Sequence, residues 1–429
     1  MGLMIRRSIL LGGLLVASLA WAQGVREAGM GGVSLPGPGQ AVANPAFLAI
    51  EDGFRRPGWR LPLGALGLLL PDRSPLYYFT DRQVFFDRFD GLSFYDQFTH
   101  LDSFLINPET SPAEVRIEVK SDGVSVTDGA GHPLRLAYQD GGSGGHRPSP
   151  FLYLPFNLGR GFHLGLGAYA GVEKLGLEPD AKLAAVLAGT PLAANERYSV
   201  TASAHASSGL NLDFALALPL PVPKGRLYAG VRGATFLGLA RVDGALTATL
   251  TTDDQARPAS SETATRIFYS YPQNGGLGYG LSLDVGLAYA EDEAIYGVGV
   301  RDLFRYSRWS GTEVISAGGS QTERQTSRTE LGFAPAVYLN AAGHAPAGPE
   351  KLLWAVDLGF AGSFFGHAGV EYPLGPVALR GGLGYENGLR FGVGTGLSLG
   401  PVALDLALTS HTGIFSGKQV FGLAASVGF

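Results

Sequence analysis

The stretch FHLGLGAYAGV, residues 162–172, alternates between two kinds of side chain along its whole length. Every second position is apolar, and these positions are Phe162, Leu164, Leu166, Ala168, Ala170 and Val172. The positions between them hold His163, Tyr169 and three glycines. A repeat of two residues places successive side chains on opposite faces of an extended strand. The stretch is therefore predicted to be a β-strand with one apolar face and one small or polar face.

The same alternation returns in later segments, and it predicts an antiparallel transmembrane β-barrel. Clear examples are 210–218, 281–289 and 402–408, where the second face holds Gly, Ala and isolated Asp or Asn. A water-soluble sandwich would set polar and charged residues on its outer face. No later run reaches the ~18 apolar residues that a membrane-spanning helix needs, and among strand structures only closed barrels satisfy their backbone hydrogen bonds in lipid. The predicted fold is all-β, with the apolar faces toward lipid.

The pattern predicts about fourteen strands. They lie at 58–70, 150–158, 162–173, 206–218, 226–250, 277–290, 293–303, 329–340, 351–361, 364–372, 376–385, 389–399, 402–411 and 419–429. Alternate connections are mostly tight, such as Gly400-Pro401 and Glu291-Asp292, although 341–350 is longer. The intervening connections include the long segments 174–205, 251–276 and 304–328 and the shorter 412–418. Short turns at one end and long loops at the other are typical of outer-membrane barrels.

The segment 71–149 fits this pattern least well. Four apolar residues at helical spacing, Phe94, Phe98, Leu101 and Leu105, predict a short helical stretch near 91–106. VRIEVKSDGVSV (115–126) and PLRLAY (133–138) indicate a hairpin and a return strand. The segment is either a large outer loop or insertion, or it contains two further strands that would make about sixteen.

Composition and the N-terminus indicate a protein that leaves the cytoplasm. Arg6 and Arg7, the apolar run 8–19 and Ala20-Trp21-Ala22 form a secretory signal peptide over residues 1–22. The 429 residues include 64 Gly and only 16% charged residues, which suits a surface in contact with lipid. A formal net charge of -5, with no Lys/Arg-rich run, argues against a nucleic-acid partner. Without cysteine the chain has no disulfide and no thiol nucleophile.

The sequence contains no recognisable set of catalytic or metal-binding residues. GLSLG, residues 396–400, matches the pattern of a serine nucleophile elbow, but that motif requires a turn from strand into helix. Ser398 instead lies within an alternating strand that is followed by Pro401. The eight His residues have no metal-binding spacing. We therefore predict a protein that is not an enzyme and that has neither a cofactor nor a metal site.

Both ends of the chain resemble one superfamily of barrels. REAGMGGVSLPGPGQAVANPAFLA, residues 26–49, resembles the mature N-terminus of FadL-type outer-membrane transporters and of their PorV/PorQ-like and TraF-like relatives. YGVGVRDL (296–303) and residues 367–400 are similar to the same proteins. The last strand ends on Phe429, which resembles the signal read by the barrel-insertion machinery. The resemblance implies a location in the cell outer membrane, with outer-membrane lipid and that machinery as partners.

In that superfamily the N-terminal segment folds inward as a hatch. The resemblance therefore implies a lumen plug over residues 23–57 and a barrel over 58–429, with the plug fixed through Met30, Gly31, Gly32, Asn44, Pro45 and Ala46. Gly and Pro permit tight turns, and irregular backbone is tolerated at membrane depth only when protein buries it. The alternative is a periplasmic tail with an ordinary turn at Asn44-Pro45.

The resemblance implies passive uptake of small hydrophobic molecules such as fatty acids. The alternative is a PorV-like barrel that transports nothing and binds or organises envelope or secreted proteins. AKLAAVLAGTPLAAN, residues 181–195, is a candidate for an apolar outer helix that captures ligand. The candidates for lining the lumen are His163, Tyr169, Asn211, Asp213, Arg232, Asp284, Asp357, Arg380 and Asp405. Charges at membrane depth are candidates for function, but these arginines and aspartates can equally pair with each other inside the wall.

Overall fold

The structure is a computed structural model, and part of the chain lies outside its described residues. It describes residues 24–37, 44–50, 54, 60–62, 96, 103–110, 112, 115–120, 123–134, 137–139, 150–159, 161–272, 276–333, 335–386, 388–414 and 416–428. The signal peptide predicted at 1–22 and the terminal Phe429 lie outside these ranges. No helix within them is long and apolar enough to cross a membrane.

The first third of the chain holds short elements. Helix α1 spans Gly24–Gly29, and a 3₁₀ turn spans Pro45–Ala49. Five short strands follow: β1 (Arg60–Pro62), β2 (Ser103–Leu105), β3 (Val115–Lys120), β4 (Gly123–Asp128) and β5 (Ala137–Gln139). β3 and β4 form the hairpin predicted from VRIEVKSDGVSV. Asp96 is helical, whereas Ser103–Leu105, at the end of the helical stretch predicted near 91–106, is a strand because it pairs with the last strand of the chain.

The rest of the described chain is almost entirely antiparallel strand. The strands are β6 (Pro150–Gly159), β7 (Phe162–Pro179), β8 (Arg197–Leu220), β9 (Arg226–Thr252), β10 (Pro258–Ser270), β11 (Gly278–Ala290), β12 (Ala294–Ala317), β13 (Ser320–Gly332), β14 (Ala336–Ala347), β15 (Glu350–Phe360), β16 (Phe364–Leu374), β17 (Val377–Glu386), β18 (Leu389–Leu399), β19 (Val402–Thr412) and β20 (Gln419–Gly428). Helix α2, Ala181–Leu187, lies between β7 and β8. It falls in the stretch predicted to be an apolar outer helix.

The pairings form one continuous antiparallel wall that runs from β6 to β20 and on to the start of the chain. Each wall strand from β6 to β9 pairs with the next, β9 pairs with β11, β11 with β12, and β12 with β14. Sequential pairs then run from β14 to β20. The second edge of β20 pairs with both β1 and β2, so the last strand meets the start of the chain. Taking β1 and β2 as parts of one strand, the described wall has fourteen strands and confirms the predicted antiparallel barrel.

One side of the wall is much taller than the other. β8, β9 and β12 have 24, 27 and 24 residues, whereas β16 to β20 have 10 or 11. β10 and β13 continue this tall side, because both pair with the upper part of β12. The loops predicted at 251–276 and 304–328 are therefore largely strand, and the loop predicted at 174–205 is strand at both ends with α2 between them. The strand predicted at 329–340 combines parts of β13 and β14. Above lipid, a strand has no need for an apolar face, so these segments lack the alternation that marks the others.

The lower rim, at the opposite end, consists of tight turns. The connection predicted over 341–350 is β14 as far as Ala347, followed by a turn at 348–349. This part of β14, AAGHAPA (341–347), consists mostly of small residues, so it lacks the large apolar side chains at alternate positions that predict a strand. Ala342, one of them, is buried against the N-terminal segment, so this end of the strand needs no large side chain to fill its inner face.

The two faces of the wall differ as the alternation predicted. On β8, Asp213 is fully buried on the inner face, while the neighbouring Phe214 is 57% exposed on the outer face. Exposed Leu, Val and Phe side chains recur on the outer faces of the other wall strands. Tyr279 and Tyr306 lie side by side on the outer face, with ring centroids 6.2 Å apart, and mark the upper boundary of this apolar belt.

Candidate lumen site

The turn at Asn44 is docked on the inner face of the wall. The Asn44 side chain accepts a hydrogen bond from the amide of Ala46 at 2.9 Å and donates one to the carbonyl of Leu287 in β11 at 3.1 Å. Beneath it lie three wall glycines whose Cβ atoms would collide with this turn, namely Gly230, Gly286 and Gly297. Phe47 follows the turn and is fully buried. We call this contact the Asn44 socket.

A second socket holds the residues that follow α1. Gly31 and Gly32 have φ angles of 79° and 91°, a backbone conformation that favours glycine and turns the chain back across the lumen. Met30 is fully buried, and its backbone lies directly on Gly369 of β16 and Gly382 of β17. A side chain at either wall glycine would overlap Met30. This contact, the Met30 socket, is separated along the wall from the Asn44 socket by β14 and β15.

A buried chain of charges ties α1 to the wall. Arg26 donates two hydrogen bonds to Glu371, both at 2.8 Å, and a third to the carbonyl of Phe54 at 2.6 Å. Glu371 also accepts from Arg380 at 2.6 Å, and Arg380 lies 2.7 Å from Asp405. All four charged side chains are buried. Because a buried charge is costly to leave unpaired, this network fixes the first half of the segment strongly.

On the tall side, the inner face carries a second buried ion-pair network. Arg232 on β9 lies between two aspartates, 2.5 Å from Asp213 on β8 and 2.6 Å from Asp284 on β11. Asn211 donates to Asp213 at 2.9 Å. Asp284 also accepts from the backbone amide of Asp302 at 2.9 Å. Each charge thus has an opposite charge or an amide donor beside it, so the cluster supports the wall itself.

Above these ion pairs, four aromatic side chains form one buried cluster, composed of Tyr169, Phe236, Phe268 and Trp309. The Phe236 ring centroid lies 6.1 Å from those of both Tyr169 and Trp309. Trp309 extends from β12 across Gly278 and Gly238, where a Cβ would strike its ring. The glycines therefore let large rings lie flat against the inner wall.

Arginines and carboxylates fill the inner face above the aromatic cluster. Glu313 accepts hydrogen bonds from Arg266 and Arg324 at 2.8 Å and from Arg328 at 3.1 Å. The bond from Arg266, helped by the other two arginines, lowers the pKa of Glu313 to about 2 although burial opposes the charge. Arg241, in the same network, lies over the Trp309 ring with its guanidinium carbon 5.6 Å from the ring centroid.

The structure places all nine predicted lumen residues on the inner face, and all nine are buried: His163, Tyr169, Asn211, Asp213, Arg232, Asp284, Asp357, Arg380 and Asp405. Most belong to the two ion-pair networks. Asp357 stands apart from both and accepts from Asn340 at 2.5 Å and from the backbone amide of Ser34. Tyr169 belongs to the aromatic cluster. Of the predicted plug residues, Met30, Gly31, Asn44, Pro45 and Ala46 contact wall residues directly, while Gly32 lies near the Arg390 and His367 side chains.

Sequence reasoning missed several residues of the site. Glu371 lies on the inner face of an alternating strand, two positions beyond Gly369, so the alternation was a sufficient signal for it. Arg26 had no signal, because nothing near it in the sequence shows that its partner is on β16. Phe236 and Trp309 were missed because an aromatic residue in the sequence does not show whether it faces the lumen or the lipid. Within the described ranges, no group of three or more His, Asp or Glu residues has the arrangement of a metal site.

No protein-family model and no curated protein matches the chain. Solved structures similar to it include the toluene transporter TodX of Pseudomonas putida, at 10% identity and TM-score 0.28, over 68% of this chain and 98% of that one. A TodX deletion mutant, described as a monoaromatic hydrocarbon channel, has 12% identity and TM-score 0.28, over 62% and 89%. A mutant porin of Rh. blastica has 10% identity and TM-score 0.21, over 53% and 100%. At these TM-scores the superposition is poor, so the functional assignment depends on the lumen contacts of this chain.

Proposed function

We propose that this protein is an outer-membrane transport protein that admits small hydrophobic molecules, fatty acids among them, by passive diffusion through a plugged barrel. The observation that carries the proposal is the seating of residues 24–37 and 44–50 against the inner wall by two glycine-lined sockets. A segment that lies on the wall by backbone contact blocks the passage without being part of the wall. Such a segment can leave or shift while the barrel stays intact.

The two sockets differ in how they hold the segment. The Met30 socket is supported by the buried charges of Arg26, Glu371 and Arg380. The Asn44 socket depends on close packing and on the hydrogen bond from Asn44 to Leu287. A neutral contact costs less to break than a buried ion pair. We therefore assign the gating movement to the part of the plug around Asn44, with the part around Met30 as the fixed anchor.

The domain organisation belongs to the same proposal. Residues 1–22 would be the signal peptide, 23–57 the plug and 58–429 the barrel, with Phe429 read by the barrel-insertion machinery. Hydrophobic molecules would arrive from the tall side of the wall, where the aromatic cluster around Phe236 and Trp309 lies above the plug.

A second candidate function is a barrel that transports nothing and binds a protein of the envelope. The buried network from Arg26 through Glu371 and Arg380 to Asp405 favours it, because breaking that network to open the passage is costly. The tall wall would then be the platform for the bound protein. The two candidates differ in one measurable property, the passage of a small apolar probe.

The test is entry of a neutral fluorescent hydrocarbon into liposomes that contain the full-length protein. Gly230→Val places a side chain where Pro45 and Ala46 dock, whereas Gly233→Val on the same strand meets open space and serves as the matched control. We expect the wild type to admit the probe and Gly230→Val to admit it at a changed rate, with Gly233→Val unchanged. Entry no faster than in protein-free liposomes for all three proteins would favour the protein-binding barrel.

A further inference from the structure

Two neighbouring buried side chains on the inner wall, Arg305 and Ser282, each have a polar atom without a hydrogen-bond partner. Arg305 on β12 has a side chain that is 3% exposed. Its Nη2 atom lies 3.8 Å from Glu330, and its Nη1 atom has no hydrogen-bond partner. Ser282 lies directly opposite on β11, and its hydroxyl also has none. Buried polar groups are normally hydrogen-bonded. The guanidinium of Arg305 and the hydroxyl of Ser282 can therefore both donate hydrogen bonds to one acceptor group.

Two aromatic rings lie immediately above this pair. Gly280 and Gly278 lie above Ser282 on the same face of β11. A Cβ at Gly280 would strike Phe236, and a Cβ at Gly278 would strike Trp309. The two rings therefore lie over β11, with centroids 6.1 Å apart. We call Phe236, Ser282, Arg305 and Trp309 the lumen panel: a donor pair at its lower end and two aromatic rings above it.

The charges at the panel and above it favour a negative ligand group. The panel's Arg305 and the network above it together have five arginines and three carboxylates, which are Arg241, Arg266, Arg305, Arg324 and Arg328 against Asp243, Glu313 and Glu330. An excess of one charge sign on a wall with low-dielectric surroundings attracts ions of the opposite sign. A carboxylate accepts from both guanidinium and hydroxyl donors, and such charge-assisted bonds are stronger than neutral ones.

We infer that the lumen panel binds an aromatic carboxylic acid, with its carboxylate on Arg305 and Ser282 and its ring against Phe236 and Trp309. This inference rests on the proposed uptake function and narrows it from hydrophobic molecules in general to planar acids. A planar ring gains additional stabilisation from stacking on aromatic faces, beyond what burial alone gives. A flexible alkyl acid also loses more conformational freedom when it binds.

The panel is covered in the resting protein. Trp309 is 2% exposed, and Arg241 lies over its ring. Entry of a ligand ring therefore requires Arg241 to move aside. Arg241 would then lose its cation–π contact with Trp309 while its ion pairs with Glu330 and Asp243 keep the guanidinium charge paired.

The test compares three ligands on the full-length protein in detergent, with calorimetry as the readout: 2-naphthoate, its neutral amide and decanoate. We expect 2-naphthoate to bind about tenfold more tightly than its amide, the smallest effect typical of a hydrogen bond to a charged group. The same margin of about tenfold is expected over decanoate, from ring stacking and conformational entropy together. Arg305→Gln should make naphthoate and amide equal, while Arg308→Gln, exposed on the same strand, should preserve the difference.

A second variant, Ser282→Ala, tests the same site in case Arg305→Gln does not fold. Ser282→Ala removes only one hydroxyl, and we expect it to weaken naphthoate binding about fivefold with little effect on the amide. Equal affinity of the wild type for naphthoate and amide would overturn the inference. So would a preference that survives in Arg305→Gln, or decanoate binding as tight as that of naphthoate.

The liposome assay separates this inference from the proposed function. Entry of the neutral probe together with equal binding of acid and amide overturns the aromatic-acid site alone. A clear acid preference without any probe entry overturns the uptake proposal and leaves the site as a binding site.

Discussion

At the scale of single residues, inward-facing glycines decide where the N-terminal segment lies. Gly230, Gly286, Gly369 and Gly382 each present bare backbone at a point where another backbone or side chain rests on the wall. Other glycines on the same strands, such as Gly381, face open space. Two glycines adjacent in sequence can therefore have opposite importance, because alternate residues of a strand face opposite sides.

Gly382→Val should unseat the Met30 socket, whereas Gly381→Val should not. The new side chain at 382 overlaps the backbone of Met30, and overpacking of this kind costs about 1–3 kcal/mol. The measurement is limited proteolysis of the folded barrel, followed at the N-terminal segment. We expect faster cleavage near Met30 in Gly382→Val only. Equal protection in both variants would contradict the contact.

Glu371→Gln should destabilise the protein strongly, because it leaves Arg26 and Arg380 without their shared carboxylate. Removing one member of a buried ion pair typically costs about 3–5 kcal/mol in the free energy of unfolding. Glu291→Gln is the comparison, since Glu291 forms an exposed pair with Lys224 at 3.9 Å, and such pairs contribute about 0–1 kcal/mol. Chemical denaturation of both variants measures the difference. Similar losses of unfolding free energy in the two variants would mean that the network around Glu371 does not fix the N-terminal segment to the wall.

The inward positions of Asp213, Arg232 and Asp405 were predictable from sequence, because alternation alone assigns a face. Their partners were not, since a strand pattern does not say which strand is its neighbour. Arg305 had even less signal, because its segment lacks regular alternation. Sequence thus predicted the lining of the lumen and left its internal contacts to the structure.

At the scale of elements, the upper parts of four strands extend the wall above the apolar belt on one side of the barrel. β9, β10, β12 and β13 pair above the apolar belt, and the inner faces of these strands carry the arginine and carboxylate network. The sequence predicted the membrane strands well because lipid demands an apolar outer face. It predicted these extensions as loops, since water on the outside removes that demand. Helix α2 packs on the outer face of the same extension, through Leu183 and Val186.

The β12–β13 hairpin should lose order only in strong acid. Glu313 has its pKa lowered to about 2 from an ordinary value of 4.5, so its contribution to stability is fully present above about pH 4.5 and disappears as pH falls through about 2. Hydrogen exchange over residues 310–328 checks this in the wild type and Glu313→Gln at matched pH. The variant should exchange faster at pH 5–7, and the two proteins should converge near pH 2.

Glu323→Gln is the control for that titration, because Glu323 lies on the outer side of the same hairpin and contacts Tyr269 at 3.3 Å. We expect it to exchange like the wild type at every pH. A difference between wild type and Glu313→Gln that grows toward pH 2 would have the wrong sign and would rule out this role for Glu313.

At the scale of the whole molecule, the outer surface is a belt of exposed apolar side chains bounded by aromatic residues. The belt is complementary to lipid, while the inner face is polar, charged or glycine. A soluble protein of this shape would have the opposite arrangement. The depth of a residue within the belt should therefore set the cost of placing a charge there.

Val393→Arg should cost more than Leu399→Arg in the same strand. Both residues are exposed on the outer face, but Val393 is near the middle of β18 and Leu399 is its last residue. In barrels, an outward Arg costs about 2–4 kcal/mol at the bilayer midplane and about 0–1 kcal/mol near the interface. Folding into lipid vesicles, measured by denaturant titration, gives both values. Equal costs would argue against a membrane belt at this position.

The distance along the chain between the plug and its sockets fixes the order in which the protein can mature. Arg26 and Glu371 are 345 residues apart, and Asn44 and Leu287 are 243 apart. The N-terminal segment therefore cannot complete its contacts until β16 and β17 exist, and contacts of such long range form late. Full docking of this segment is therefore expected to be a late event of folding. Under the proposed function, a chain that stalls before β16 and β17 are inserted would leave an open passage in the membrane, so rapid completion or removal of such chains would matter to the cell.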